Sequence, residues 1–165
     1  MTSLQQSTFF DVLVIGGGHA GVEAAYAAAR LGMRVGLVSI DFKKIASMPC
    51  NPSIGGLGKG HIVFEVSALG GLMPQLCSTT YLQARMLNTS KGPAVQGLRL
   101  QIDKYRYSQT AYEYLSCIAA ITMITGIAVE LLTSDQASGR RATGVVLTDG
   151  KVLHSSAVVV TTGTF

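Results

Sequence analysis

Residues typical of metal-bound or disulfide-linked folds are scarce in this sequence. It has only 3 cysteines, Cys50, Cys77 and Cys117, among 165 residues. They show no CxxC spacing and no histidine cluster accompanies them, which argues against a zinc site and against a disulfide scaffold. We therefore expect no bound metal, and a reducing, cytoplasmic setting for the thiols.

Long apolar runs and dense runs of one charge are also missing. The longest apolar stretch runs from Cys117 to Val129 and contains threonines and a glycine, so it is too short to span a bilayer, which takes about 20 residues. Residues 1–8 carry no Arg or Lys, so neither a signal peptide nor a transit peptide is expected. The net charge of +4 permits an acidic partner such as RNA, but without a dense basic run it does not require one.

Hydrophobic residues and glycines are abundant instead. Hydrophobic side chains make up 48% of the chain, and glycines number 19. This composition suits a packed α/β domain in which backbone segments approach one another closely. A length of 165 residues is enough for one domain with a buried core.

The strongest motif lies near the start, where a strand, a glycine turn and a helix follow one another. Phe10–Ile15 is predicted to be a strand buried on both faces, and Val22–Leu31 a helix of strong helix formers. Between them, Gly16-x-Gly18-x-x-Gly21 has the dinucleotide-binding spacing: the first glycine makes the tight turn, the second lets a pyrophosphate approach, and the third lets helix and strand pack. We therefore expect a bound dinucleotide, with its phosphates at the amino end of the helix.

The residue that would hold the adenosine ribose stays open. Val35–Ile40 is the second predicted strand, and Ser39 stands where an acidic residue usually ends it. Asp41 follows two residues later, so either side chain can serve. No arginine lies at this position, which disfavours a 2′-phosphate.

Prolines and glycines punctuate the next segment, Pro49–His61, and indicate backbone pressed against a ligand or a neighbour. It is not a phosphate loop, because Ser53 stands where the first glycine is required and Gly60 replaces the Ser/Thr after the lysine. Cys50 in this loop has two interpretations. It is either a reactive thiol over a cofactor, favoured by nearby positive charge, or a small buried apolar residue.

The remaining pattern alternates loops, helix and strands. We predict an irregular stretch over Leu72–Thr80, and a polar loop over Asn88–Val95 that is either a phosphate or flavin contact or a solvated turn. A helix is predicted from Arg99 to about Cys117. Strands are predicted over 121–125, 128–133, 142–148, 151–154 and 157–161. The pattern predicts an α/β, Rossmann-like domain of the two-dinucleotide-binding flavoprotein type, a parallel sheet with a small inserted β layer.

Five segments together resemble the MnmG (GidA) family of FAD-dependent enzymes that modify the wobble uridine of certain tRNAs. They are GGGHAG (16–21), CNPSIGGLGKGHIV (50–63), ALGGLM (68–73), RMLNTSKGPAV (85–95) and VVVTTGTF (158–165). They occur in the family's order and spread over most of the chain.

The resemblance implies roles for particular residues. The flavin would be held by Gly16, Gly17, Gly18, His19, Ala20 and Gly21, with the backbone near Val129 on the adenine side. Cys50 would take part in catalysis. Lys91 and Arg99 would be candidates for contacts to phosphate or RNA.

The resemblance also implies the reaction and its partners. An aminomethyl-type group, such as carboxymethylaminomethyl, would be added to C5 of uridine 34. A folate would supply the carbon, FAD would mediate the redox step with NADH, and glycine or ammonia would complete the group. An MnmE-type GTPase would join a heteromeric complex with a homodimer of the full-length enzyme in the cytoplasm, with no membrane involved.

Some positions depart from the family pattern. Phe64 and Ser67 stand where a basic and an acidic residue are expected, Ala84 replaces an aromatic residue, and Gln96 an arginine. The NADH-binding insertion, the family's second cysteine and its C-terminal helical region would lie beyond Phe165. We therefore expect residues 1–165 to form the N-terminal part of an FAD-binding domain. The alternatives are a truncated, non-catalytic FAD- or partner-binding fragment, and a different two-dinucleotide oxidoreductase acting on a small molecule.

Overall fold

A computed structural model of the protein describes residues 8–137 and 139–163. The chain forms two compact units, one of residues Met1–Phe42 and Leu115–Phe165 and the other of Lys43–Tyr114. The expectation of no leader peptide concerns residues 1–8, and residues 1–7 lie outside the described ranges. Residues 164 and 165, the last two of the 158–165 segment, also lie outside them.

The helices and strands are named in chain order, each class with its own numbers. They are β1 (Thr8–Ile15), α1 (His19–Arg30), β2 (Val35–Ser39), β3 (Ser53–Gly55), α2 (Lys59–Ala68), α3 (Leu72–Thr80), β4 (Tyr81–Leu87), β5 (Gly97–Ile102), α4 (Lys104–Ser116), β6 (Ile121–Thr125), β7 (Ala128–Gln136), β8 (Gly139–Leu147) and β9 (Val152–Val160).

The first unit is built on a six-stranded sheet with strand order β6-β2-β1-β9-β8-β7. The strands β6, β2, β1 and β9 are parallel, and β8 and β7 continue the sheet in antiparallel pairing. β1 is central to the parallel part, because Val14 lies opposite Leu37 of β2 on one side and Val159 of β9 on the other. The predicted glycine turn therefore follows the middle of the parallel strands.

The inserted β layer consists of β7, β8 and the first residues of β9, and a buried cluster joins it to the parallel strands. Leu13 and Ile15 of β1 belong to a buried cluster with side chains of β2, β6, β8 and β9, namely Val38, Ile124, Val145, Leu147 and Leu153. Successive side chains of a strand point to opposite faces, so Val14 faces the other side, and α1 contacts β1 and β2. This confirms the predicted α/β fold, a parallel sheet with a small inserted β layer.

The final strand differs from its prediction. Two strands were expected, over 151–154 and 157–161, but β9 is continuous from Val152 to Val160. Its first residues pair with β8, while Leu153–Val160 pairs with β1. No glycine or proline interrupts residues 152–160, so nothing forces a break between the two pairings.

The second unit combines a three-stranded antiparallel sheet, of order β3-β5-β4, with helices. The prediction of an irregular stretch over 72–80 was wrong, because α3 occupies it. Leu72, Leu76 and Thr80 are buried at a spacing of four residues, which is the helical repeat. Pro74 lies in the first turn, where a missing backbone N–H is tolerated.

The predicted helix from Arg99 was also wrong in its first part. Residues 97–102 form β5, which pairs with both β3 and β4. The helix α4 begins only at Lys104, because the Asp103 carboxylate accepts the backbone N–H groups of Tyr105 (3.2 Å) and Arg106 (3.1 Å). Such a cap stabilises the first turn and marks its start.

An ion pair of the first unit gives a prediction on pH. The backbone N–H of Arg34, which donates to the Asp11 carboxylate over 2.8 Å, and then the Arg34 guanidinium lower the pKa of Asp11 below its ordinary value. Because the pKa of Asp11 is lower in the folded state than in the unfolded state, the ionised carboxylate stabilises the fold at pH values above the unfolded pKa of about 3.9. This stabilisation is lost as the pH falls through the folded-state pKa.

Asp11→Asn keeps an acceptor for the Arg34 N–H but removes the charge. We expect it to lower Tm at pH 7 by a few degrees at most, because the pair is exposed. The difference from the wild type should shrink when melting is followed at pH 3. An equal difference at both pH values would contradict this assignment.

Candidate functional site

The glycine turn after β1 is fixed between two neighbouring strands. The Gly16 N–H donates to the Val38 carbonyl of β2 over 2.8 Å. On the other side, the backbone N–H and the hydroxyl of Thr161 both donate to the Ile15 carbonyl, over 2.8 Å and 3.0 Å. The turn therefore has one defined position at the carboxyl end of β1.

The three motif glycines have different steric surroundings. Gly16 has φ +114°, and a Cβ there would overlap the Thr161 carbonyl oxygen. A Cβ at Gly21 would overlap the Gly16 carbonyl oxygen. At Gly18, by contrast, no atom of residues 8–137 and 139–163 other than its own chain neighbours lies within 4 Å of the position that a Cβ would take. Two of the glycines are thus required by the fold, whereas the third leaves an open backbone surface.

The helix α1 starts beside that surface. Gly18 is its N-cap, with no side-chain capping bond, and no acidic residue lies in the first turn. The first N–H groups of an α-helix have no acceptor inside the helix, and they carry the positive end of the helix dipole. An open glycine next to this helix end fits the pyrophosphate of a dinucleotide.

The candidate ribose residues and Val129 belong to the same unit. Ser39 ends β2, where its carbonyl accepts the Gly126 N–H over 3.0 Å, and Asp41 follows in the loop. Val129 lies in an irregularity of β7, because Ala128 and Glu130 have register partners and Val129 has none. Such a bulge leaves backbone groups outside the ladder, and bulges are common beside binding sites.

The Cys50 loop, defined as residues 49–52, lies in the second unit and is followed by a closely held backbone. The Ile102 N–H of β5 donates to the Pro52 carbonyl over 2.7 Å, and the Gly56 N–H donates to the Leu98 carbonyl over 2.9 Å. Gly55 has φ +100°, and a Cβ there would overlap the Leu98 carbonyl. The glycines of this segment therefore bring it against β5, while Cys50 itself is exposed.

The structure places Arg99 close to this loop in the fold. Its guanidinium Nη2 donates to the Ser53 hydroxyl over 3.2 Å, and the Lys59 ammonium donates to the Ser53 carbonyl over 3.2 Å. Sequence reasoning missed Ser53 as a contact of these cations. The sequence gives no local signal for this contact, because it depends on the pairing of β3 with β5, which brings together residues 46 positions apart.

The 88–95 loop is closed by its own side chains. Asn88 has φ +57°, and its amide donates to the Val95 carbonyl over 3.0 Å. The Gln96 side-chain amide donates to the Lys91 carbonyl over 3.0 Å, so this side chain also holds the loop. The Lys91 side chain is exposed, and none of the described residues accepts a hydrogen bond from its ammonium.

The cysteines differ in exposure, and this gives a labelling prediction. Cys50 and Cys117 are exposed, whereas Cys77 in α3 is buried, with 2% of its surface accessible. With iodoacetamide, we expect Cys77 to react on the order of a hundredfold more slowly than the other two, because its modification requires local opening. Peptide mass spectrometry measures the three rates, and all three should become similar in denaturant. Fast labelling of Cys77 in the native protein would contradict its burial.

A shallow cavity of about 440 Å³ lies elsewhere in the first unit and is lined by Phe9, Gln136, Arg141, Thr143, His154, Ser155 and Ser156. Phe9 is near the amino end of β1, whereas ligands of open α/β sheets bind at the carboxyl ends of the strands. The cavity is therefore separate from the glycine turn. Within the described ranges, no three His, Cys, Asp or Glu side chains form a group that could hold a metal ion.

No single helix of residues 8–137 and 139–163 has both the length and the apolar composition to cross a membrane. The helices α2 and α3 pass that test only as a pair, with a bend of 109° between them.

Comparisons with known proteins relate the chain to one family. The model of the family "Glucose inhibited division protein A" (GidA) matches residues 11–165. The tRNA uridine 5-carboxymethylaminomethyl modification enzyme MnmG of Zymomonas mobilis is 49% identical over 157 residues, which cover 95% of this chain and 25% of the relative. The mouse mitochondrial 5-taurinomethyluridine-[tRNA] synthase subunit MTO1 is 45% identical, over 94% of this chain and 24% of that protein.

Solved structures show the same relationship. The structure of Aquifex aeolicus GidA matches the whole chain with a TM-score of 0.89 and 40% identity, over 26% of its own length. PqsL of Pseudomonas aeruginosa, at 21% identity and a TM-score of 0.61 over 92% of this chain and 42% of its own, shares the fold alone. The chain spans about a quarter of the length of the curated relatives it matches. With a family model that covers nearly all of its residues, the chain belongs to the GidA family.

Proposed function

We propose that this chain is the N-terminal part of the FAD-binding domain of an enzyme that modifies the wobble uridine of tRNA. The observation that carries the proposal is the open backbone at Gly18 beside the amino end of α1, in a chain of the GidA family. Relatives that are 49% and 45% identical are named as tRNA uridine-modifying proteins.

In this proposal the first unit binds the cofactor. The backbone of Gly16–Gly21 holds the FAD pyrophosphate, and the backbone at the β7 irregularity around Val129 contacts the adenine. Ser39 or Asp41 contacts the ribose. The FAD supplies redox chemistry when bound, while the residues of this chain bind and orient it.

The second unit contributes the candidate catalytic thiol. Cys50 is exposed in its loop, where its thiol is accessible to a substrate. Lys91, exposed at the next loop, contacts RNA phosphate. A carboxymethylaminomethyl or aminomethyl group would be added to C5 of uridine 34, with a folate as donor of the methylene carbon, glycine or ammonia as donor of the amine, and NADH as the reductant used through FAD. NADH, the GTPase partner and the homodimer contacts require the parts of the family chain that this sequence does not cover.

A flavin titration of the purified chain tests the cofactor assignment. We expect a flavin absorbance spectrum that survives desalting after incubation with FAD. A protein that stays colourless, although circular dichroism shows it folded, would refute FAD binding by these residues alone.

The alternative is a non-catalytic FAD- or partner-binding fragment. A graft separates the two functions. Residues 11–165 replace the matched segment of the Zymomonas mobilis relative in cells that lack their own enzyme. Nucleoside mass spectrometry then measures the modified wobble uridine. Restored modification supports the enzyme, and its absence, with normal FAD content, supports the fragment.

A further inference from the structure

We propose that Lys59 and Arg99 are positioning residues that fix the Cys50 loop through Ser53. This rests on the proposed function, in which Cys50 acts in catalysis. Lys59 Nζ donates to the Ser53 carbonyl and Arg99 Nη2 donates to the Ser53 hydroxyl, each over 3.2 Å. We call these two contacts the Ser53 clamp. The carbonyl and the hydroxyl of one residue are thus held by cations from two different elements, α2 and β5.

The clamp acts directly after the loop that contains Cys50. Ser53 is the first residue of β3, and its N–H donates to the Asn51 carbonyl over 2.8 Å. Pro52 is held separately by the Ile102 N–H. A shift of Ser53 therefore moves Asn51, the neighbour of Cys50. The cations hold the end of the loop, and the thiol itself stays exposed.

Charge pairing does not account for the orientation of the two cations. Among residues 8–137 and 139–163, neither Lys59 nor Arg99 forms an ion pair with a carboxylate. Hydrogen bonds from charged donors are stronger than those between neutral groups. The contact with Ser53 therefore orients Arg99 toward the loop. The expectation that Arg99 is a candidate for contacts to phosphate or RNA stays a prediction.

Hydrogen exchange of the intact 165-residue chain tests the clamp without flavin or RNA. Ser53→Ala removes the hydroxyl acceptor, and Arg99→Met removes its donor. Each is expected to raise the exchange rate of peptides covering residues 49–57 by about fivefold, as for the loss of one exposed hydrogen bond. The double variant should exchange no faster than either single variant, because both remove one contact. Arg99→Lys, which can still donate, should restore most of the protection.

Arg85→Met is the matched control. Arg85 lies opposite Arg99 on β4 and is exposed, and its side chain has no hydrogen bond to a described residue. Arg85→Met removes the same positive charge as Arg99→Met, and it should leave the hydrogen-exchange rate of residues 49–57 unchanged. Equal exchange in Arg85→Met and Arg99→Met, or rate increases that multiply in the double variant, would overturn the clamp.

Labelling of the buried Cys77 reports whether a variant still folds. If Arg99→Met exposes Cys77, the two milder variants provide the test. Faster hydrogen exchange of residues 49–57 in Ser53→Ala, together with wild-type exchange in Arg99→Lys, supports the clamp. Wild-type exchange in Ser53→Ala overturns it.

In the grafted enzyme, Ser53→Ala and Arg99→Met should lower kcat and leave KM for tRNA unchanged. A phosphate contact by Arg99 would instead raise KM in Arg99→Met alone. Failure of FAD binding leaves the exchange result valid, so the two proposals fail separately.

Discussion

Gly18→Ala is expected to weaken FAD binding at least about 100-fold without lowering the stability of the chain. A methyl group at this position would stand between the backbone and the pyrophosphate, and would break about two hydrogen bonds to a charged group, worth about 1.5–3 kcal/mol each. Gly18 has φ −73° and ψ −178°, which alanine adopts readily, and apart from its chain neighbours no described atom lies within 4 Å of the new Cβ. Tm should therefore stay unchanged or rise by about 1–3 °C, because alanine reduces the entropy of the unfolded chain.

Other glycines provide matched controls for this substitution. Gly92 has φ −63° and ψ 156°, and its Cβ position is equally open, so Gly92→Ala should have the same small effect on Tm as Gly18→Ala and leave FAD affinity unchanged. Gly21→Ala should lower both, because its Cβ would overlap the Gly16 carbonyl, at a cost of about 4 kcal/mol or more and about 10 °C in Tm. Flavin fluorescence titration and thermal melting measure the two quantities. Wild-type FAD affinity in Gly18→Ala would show that the pyrophosphate does not lie at this turn.

Local pattern was sufficient to predict the central part of the fold. The signals for this part are the strand that ends at Ile15, the glycine spacing and the alanine-rich helix, and they all lie within about 25 residues. Local propensity and hydrophobic periodicity therefore predict the same structure that the packing produces. The turn between β8 and β9 is equally local, because Asp149 and Gly150 both suit a tight turn and the Leu147 N–H donates to the Lys151 carbonyl over 2.9 Å. The steric role of Gly21 follows from the same short segment, because its Cβ would overlap the Gly16 carbonyl, whereas the steric role of Gly16 depends on Thr161, which lies 145 residues away in the sequence.

Predictions failed where distant pairing decides the structure. Arg99 is in a strand because residues 97–102 pair with two other strands, and the polar residues there resemble the start of a helix when read alone. α3 was missed because Pro74 normally argues against helix, although the first turn tolerates it. The contact of Arg99 with Ser53 likewise depends on pairing between β3 and β5, which no local pattern encodes.

Cys50→Ser is expected to abolish the modification of wobble uridine by the grafted enzyme, with a rate at least about 1,000-fold lower, as for loss of a catalytic nucleophile. The substitution replaces sulfur by oxygen at an exposed position, so it creates no cavity and removes no core contact. A serine hydroxyl is a weak nucleophile unless an adjacent base activates it, whereas a thiol supplies a small fraction of thiolate at neutral pH. FAD content and Tm should therefore stay at the wild-type values.

Cys117→Ser is the matched control, because Cys117 is the other exposed cysteine and lies in the first unit, outside the Cys50 loop. It makes the same chemical change and should leave the modification rate unchanged. Single-turnover assays with a tRNA substrate, read out by nucleoside mass spectrometry, measure both variants. Wild-type modification by Cys50→Ser would remove Cys50 from the catalytic step. The Ser53 clamp would then fix a loop that serves binding, which the kcat and KM values of Ser53→Ala would show directly.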